Sequence, residues 1–207
     1  MRRFYEALLR FPCPNRALCF SILSCDFFKE SMSNPPAIRR ALKEDQQQIG
    51  DLWLRLLDEH AAMDPRFGVA GDALERWLND FRYWLVDEQS RVFVAEQEGA
   101  LVGFITACLW EPLPLYAVSE EVYINELYVV AELRGQGVGR RLVEAVKAWA
   151  EDLPVGRLRI GVLAANTAGR AFWERQHAQP LSLTLTIDLE KSDAPAKVEK
   201  KKARLGF

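Results

Sequence analysis

The stretch Tyr123-Ile124-Asn125-Glu126-Leu127-Tyr128-Val129-Val130-Ala131-Glu132-Leu133-Arg134-Gly135-Gln136-Gly137-Val138-Gly139-Arg140-Arg141-Leu142 constrains this chain more than any other. It reads as strand, turn, glycine-rich loop and helix, an order that builds a cradle for phosphate. Glycines at 135, 137 and 139 remove side chains where the backbone must approach an anion and bend tightly. The helix that follows turns its unpaired N-terminal N–H groups, and the positive end of its dipole, towards the same point. With Arg134, Arg140 and Arg141 beside it, the loop suits a diphosphate.

Three kinds of glycine loop compete for this reading. A P-loop requires Gly-Lys followed by Ser or Thr, so that lysine meets the terminal phosphates and a hydroxyl holds magnesium. Gly139-Arg140-Arg141 has neither. A dinucleotide fingerprint requires a third glycine that falls here on Arg140 or Leu142, and an acid after the next strand, where Ala164-Ala165 stands. The spacing that fits is Arg/Gln-x-x-Gly-x-Gly/Ala, written here Arg134-Gly135-Gln136-Gly137-Val138-Gly139. It resembles the acetyl-CoA loop of the GNAT superfamily of N-acyltransferases. The flanks are similar too: Glu126-Leu127-Tyr128-Val129 to the family's fourth strand, Asn166 to Arg175 to the start of its last helix, and Ala37 to Asp45 to its first strand and helix entry.

That resemblance implies an α/β fold of the α+β kind. Its central sheet is mixed and mostly antiparallel, splayed between strands 4 and 5, with helices on both faces. It implies acetyl-CoA as acyl-donor cosubstrate, direct transfer to a primary amine, and no metal. Leu127, Tyr128 and Val129 would line the opened strand, with the Val129 N–H as oxyanion donor. The pyrophosphate would rest on Arg134, Gly135, Gln136, Gly137, Val138, Gly139 and Arg140. Asn166 stands where the family meets the pantetheine arm, and it equally suits an N-cap for the helix from Thr167. Glu126 is the candidate general base or ammonium anchor, with Asn125 and Glu121 as second choices. Tyr123 occupies the place where histone-type relatives carry a glutamate.

The chain departs from the family in its last helix. Trp173 replaces the tyrosine that protonates the leaving thiolate, and an indole N–H is no acid at neutral pH. Tyr128 is the candidate substitute. His177-Ala178 replaces a glycine–aromatic pair, and Gly169 a common alanine. These departures keep a second reading open: a catalytically weakened acyl-CoA-binding sensor or partner subunit. The resemblance also implies a homodimer paired through the last strands.

Composition bounds the rest. At 207 residues, 49% hydrophobic and 27% charged, the chain suits one well-covered domain with tails. Its net charge of −2 hides basic ends and a body near −8, which argues against nucleic acid and for a cationic acceptor. No apolar run approaches the ~20 residues of a membrane span. Cys13, Cys19 and Cys25 match no zinc spacing, Cys108 sits in an apolar strand, and free thiols fit a reducing cytoplasm. No Cys–His or Ser–His pair offers an acyl-enzyme nucleophile.

Residues 1–35 are expected to be an N-terminal extension outside the fold, with Met32 as an alternative start. Residues 36–190 form the acyltransferase-like domain, and residues 191–207 a basic, disordered tail. Within the domain, periodicity predicts helices over 44–63, 72–87, 137–151 and 167–175. Strands are predicted over 92–96, 101–110, 121–130, 157–163 and the alternating 181–187. The acceptor wall is expected from residues 57–71 and 111–120. Asp58, Glu59, Asp64, Glu120 or Glu121 could receive a small-molecule or protein amine, and Trp53, Trp110 and Tyr116 could provide an apolar floor.

Overall fold

A computed structural model describes residues 34–112 and 120–187. The expectations for residues 1–33, for Tyr116 and for the tail at 191–207 lie outside the described residues. Five strands form one sheet in the order β1 (Ala37–Arg40), β2 (Ser90–Gln97), β3 (Ala100–Trp110), β4 (Glu121–Val129) and β5 (Leu158–Ile160). The first four are antiparallel neighbours, and β5 runs parallel to β4. Helices α1 (Gln46–Met63) and α2 (Ala73–Val86) follow β1, α3 (Val138–Glu151) follows β4, and α4 (Thr167–Arg175) follows β5.

Each helix buries the face its sequence marks. Ile49, Leu52, Trp53 and Leu56 of α1 and Trp77 and Phe81 of α2 cover one side of the sheet, against Val92, Val94, Phe104 and Tyr128. On the other side, Val138, Leu142, Val143, Val146 and Trp149 of α3 pack on Ala95, Ile105, Ala107, Val122 and Ile124. Fully burying one such side chain stabilises by about 1.5–3 kcal/mol. The helices stop where their sequences say they should. Asp64 leaves α1 in extended geometry before Pro65, and Asp87 does the same after α2. β2 and β3 turn through Glu98 and Gly99, both at positive φ.

Two expectations fail. The fifth strand covers Leu158–Ile160, not 157–163. Residues 181–187 form no strand, and Leu181, Leu183, Leu185 and Ile187 are 59–88% exposed. Alternation marks a strand only where a sheet edge receives it, and among the described residues none pairs with this segment.

Candidate active site

The site is set by one extra residue in β4. Thr106 pairs with Glu126 and Ala107 with Ile124, so Asn125 has no counterpart on β3 and forms a bulge. Because strand side chains alternate, the bulge reverses the phase of everything after it. Val122 and Ile124 point into the α3 core before it, and Leu127 and Val129 do so after it. Tyr128 is thereby turned into the α1–α2 core, and Glu126 to the tryptophans there. Were Asn125 paired as an ordinary strand residue, both would share the face of Val122 and Ile124.

The backbone opens at the same place. β5 pairs with β4 only from Val122 to Ile124, so the neighbour is gone beyond the bulge. The Val130 N–H donates to the Val102 carbonyl across the β3 side (2.9 Å). By the alternation of antiparallel ladders, Val129 and Leu127 then turn their peptide groups to the vacated side. The Val129 carbonyl accepts from Arg134 Nε at 2.8 Å.

Immediately downstream lies the glycine loop. Gly137, at φ +83°, caps α3 in a left-handed conformation that disfavours any side chain. The first helical bond runs from Arg141 N to the Gly137 carbonyl (3.1 Å), which leaves the N–H groups of Val138, Gly139 and Arg140 without helical acceptors. This row of donors fits a pyrophosphate. Gly139 has a second duty, since a Cβ there would stand 3.3 Å from the Phe172 ring of α4. Gln136 Nε2 donates to the Glu132 carbonyl (2.9 Å), and Arg140 is exposed.

Arg134, at the start of the loop, also reaches back to α1. Its guanidinium donates to Glu59 of α1 at 2.6 Å and lies over the Tyr128 ring at 5.3 Å. The Glu59 hydrogen bond is the main reason its pKa is raised. Tyr128 OH meets the same Glu59 oxygen at 3.4 Å, and burial, then the Glu59 charge, push its phenol pKa up. Arg134 thus ties the loop to α1.

Glu126 sits among neutral donors. Trp77 Nε1 donates to Oε1 at 3.2 Å, and the Thr106 hydroxyl donates to Oε2. The same hydroxyl accepts from the Glu126 N–H at 3.2 Å. Burial lifts the Glu126 carboxyl above the ordinary glutamate range, while the hydrogen bonds from Thr106, Trp77 and Trp53 oppose that rise. No salt bridge among the described residues includes it. Next to it, Asn125 Nδ2 reaches Cys108 Sγ at 3.6 Å, and burial pushes the Cys108 thiol up.

The remaining predicted residues divide. Asn166 caps α4, its Oδ1 accepting from Gly169 N at 2.7 Å. A Cβ on Gly169 would fall within 2.9 Å of that Asn166 side chain, so glycine leaves the cap its room. Glu121 is 1% exposed and is held by Arg157, with Arg159 at 3.7 Å, so its charge is already countered. Asp64 is paired with Arg66 at 2.6 Å. Trp53 is buried and stacked on Trp77 at 5.1 Å rather than open as a floor, and Trp110 lies under Arg159 at 4.6 Å. Tyr123 OH would be 2.9 Å from a Cβ on Gly161. Trp173 packs edge-on to Phe172 at 4.9 Å.

Trp77 and Thr106 were not singled out from sequence. Trp77 falls on the core face of a helix and reads as packing. Thr106 is a polar residue inside an apolar strand, a signal that becomes specific only once the register sets it opposite Glu126.

An opened fourth strand beside a donor-lined glycine loop defines an acyl-CoA-type transferase fold. Residues 53–178, more than half of the chain, match the Acetyltransferase (GNAT) family. The chain belongs to that family of acyltransferases. It is 32% identical over 100 residues to an uncharacterized N-acetyltransferase of Archaeoglobus fulgidus, covering 47% of this chain and 66% of that one, just under two thirds. It is 30% identical over 146 residues to an aminoglycoside N(6')-acetyltransferase type 1 of Stenotrophomonas maltophilia, covering 68% of this chain and 86% of that one. Its fold is similar to that of the aminoglycoside N-acetyltransferase AAC(6')-Iy in complex with CoA, with a TM-score of 0.60 at 18% identity, covering 78% of this chain and 99% of that one.

Proposed function

We propose that this protein moves the acetyl group of acetyl-CoA directly to a primary amine of a small molecule or protein. The observation that carries the reading is the Asn125 bulge. It brings a carboxylate without a counter-cation to the point where β4 loses its neighbour and the donor-lined loop begins. The N–H groups of Val138, Gly139 and Arg140 seat the pyrophosphate, and the Val129 N–H faces the carbonyl oxygen as it gains charge. Asn166 keeps its amide Nδ2 for the pantetheine arm while its Oδ1 caps α4.

Glu126 takes a proton from the acceptor ammonium, and its lifted pKa makes it a better base for that task. The freed amine forms the new C–N bond at the acetyl carbon, and collapse of the adduct breaks the C–S bond. Tyr128, kept protonated by its raised pKa, gives its proton to the departing thiolate and recovers one from the adduct nitrogen, which loses its second proton as the amide forms. Cys108 is a protonated, partly buried thiol, which supports direct transfer over an acyl-enzyme. The same free thiol supports a reducing, cytoplasmic setting. The exposed apolar side chains of Leu181, Leu183, Leu185 and Ile187 support a homodimer, because a second copy would cover them.

One observation favours a second reading as an acyl-CoA sensor: the indole of Trp173, packed on Phe172, stands where relatives carry the acid. Thiol release from acetyl-CoA against a panel of amines decides between them. Amine-dependent release that collapses in Glu126→Gln is expected. CoA binding with no release for any amine would favour the sensor.

A further inference from the structure

Resting on the reading of Glu126 as the base, we propose that Trp77 and Thr106 are its positioning residues, a clamp of neutral donors that fixes the carboxylate and leaves its charge for the acceptor ammonium to answer. The two donors divide the carboxylate between them. Trp77 Nε1 takes Oε1 from α2, and the Thr106 hydroxyl takes Oε2 from β3. Thr106 cannot turn away easily, because its oxygen also accepts the Glu126 N–H. A hydroxyl that bonds both the backbone and the side chain of one residue locks that side chain's torsions. Trp77 is equally fixed, stacked between Trp53 at 5.1 Å and Phe81 at 5.4 Å.

A carboxylate accepts along four lone-pair directions, so the donors from Thr106, Trp77 and Trp53 leave one still able to accept. What the clamp omits matters as much. Among the described residues the two buried carboxylates, on Asp45 and Glu121, are each met by arginine, whereas half-buried Glu126 is not. An arginine on Glu126 would hold its proton affinity down and repel an incoming ammonium. Indole and hydroxyl donors stabilise the ionised form enough to orient it without neutralising it. The clamp is specific to geometry: Trp77 and Glu126 are 49 residues apart, and they meet because the β4 register sets Glu126 opposite Thr106 on the α2 side.

The test is the pH dependence of kcat/KM for the amine in wild type, W77F, T106V, T106S and E126Q, with the KM for acetyl-CoA as control. Removing a donor to the ionised form should move the acid limb of W77F and T106V up by about half to one pH unit. T106S, which keeps the hydroxyl, should restore the wild-type limb, and the KM for acetyl-CoA should hold within about twofold. A measurement on the intact protein guards against misfolded variants. An indole N–H resonance in the wild-type 15N spectrum should titrate with the midpoint of the acid limb and be silent in E126Q. A collapsed E126Q with unmoved limbs in W77F and T106V would overturn the clamp alone. Wild-type indole resonances indifferent to Glu126 would do the same. Full activity in E126Q would remove the parent reading and the inference together.

Discussion

Two regions of this molecule each draw a carboxylate out of water, one buried and one half-buried, and they answer its charge in opposite ways. At the β1 edge, Asp45 is 6% exposed and accepts Arg39 twice, at 2.6 and 2.8 Å, together with the Leu42 N–H at 2.7 Å. Arg39 reaches on to Glu96 at 2.6 Å, so the first strand, the entry to α1 and β2 are stapled together. At the β4 bulge, Glu126 has hydrogen-bond donors and no cation. The first arrangement lowers the carboxyl pKa, chiefly through the Arg39 hydrogen bonds, and the second raises it through burial. Charge that is answered inside the fold holds the fold together. Charge that is left unanswered is available for chemistry.

The largest test of this contrast is Glu126→Gln. Thiol release should fall by about 10²–10⁴-fold, the range typical of a lost general base. Its melting temperature near pH 5 should stay close to wild type. Asp45→Asn should behave the other way, losing about 2 kcal/mol in denaturant unfolding while its kcat stays within about twofold of wild type. That figure lies below the ~3–5 kcal/mol of a fully buried pair because Arg39 is partly solvated. Equal loss of activity in both variants would break the comparison.

The pH dependence of stability should separate the two groups by sign. Asp45 is depressed, so its contribution is complete above its ordinary value of about 3.9 and is lost as pH falls towards the folded pKa. Glu126 is raised, so the fold is favoured while it is protonated. Stability declines as pH rises from its ordinary value of about 4.3 through the folded pKa. Thermal melts across pH should therefore show an acid loss absent from Asp45→Asn and a neutral-side decline absent from Glu126→Gln. The smallest effect concerns the loop. Gly137→Ala at φ +83° should cost about 1 kcal/mol in unfolding and raise the KM for acetyl-CoA, with kcat little changed.

How much of this could be read from the chain alone differs by element. The glycine loop was legible because its physics is local: a turn, a helix start and missing side chains lie within six consecutive residues. The four helices were legible from periodicity, with boundaries off by a residue or two. The false strand at 181–187 shows the limit of alternation, which reports a preference and names no partner. The Arg134–Glu59 pair was not legible, because the two residues lie 75 positions apart and no local pattern joins them. The bulge did leave a trace. The apolar set in β4 runs Val122, Ile124, then Leu127, Val129, a slip from even to odd positions that says where the extra residue sits. That slip alone sets Glu126 on the face opposite Leu127 and Val129.

The bulge carries a lesson for anyone redesigning this enzyme. A side-chain library along β4 alters the pocket by degrees, because every substitution keeps the carboxylate on its face. A change in the number of residues between Ile124 and Glu126 acts in whole steps: removing Asn125 makes the ladder regular and leaves Glu126 opposite Thr106, whereas a further inserted residue shifts Glu126 and Tyr128 out of register with Thr106 and Phe104. Segment length is the digital part of this active site, and side-chain identity is the analogue part.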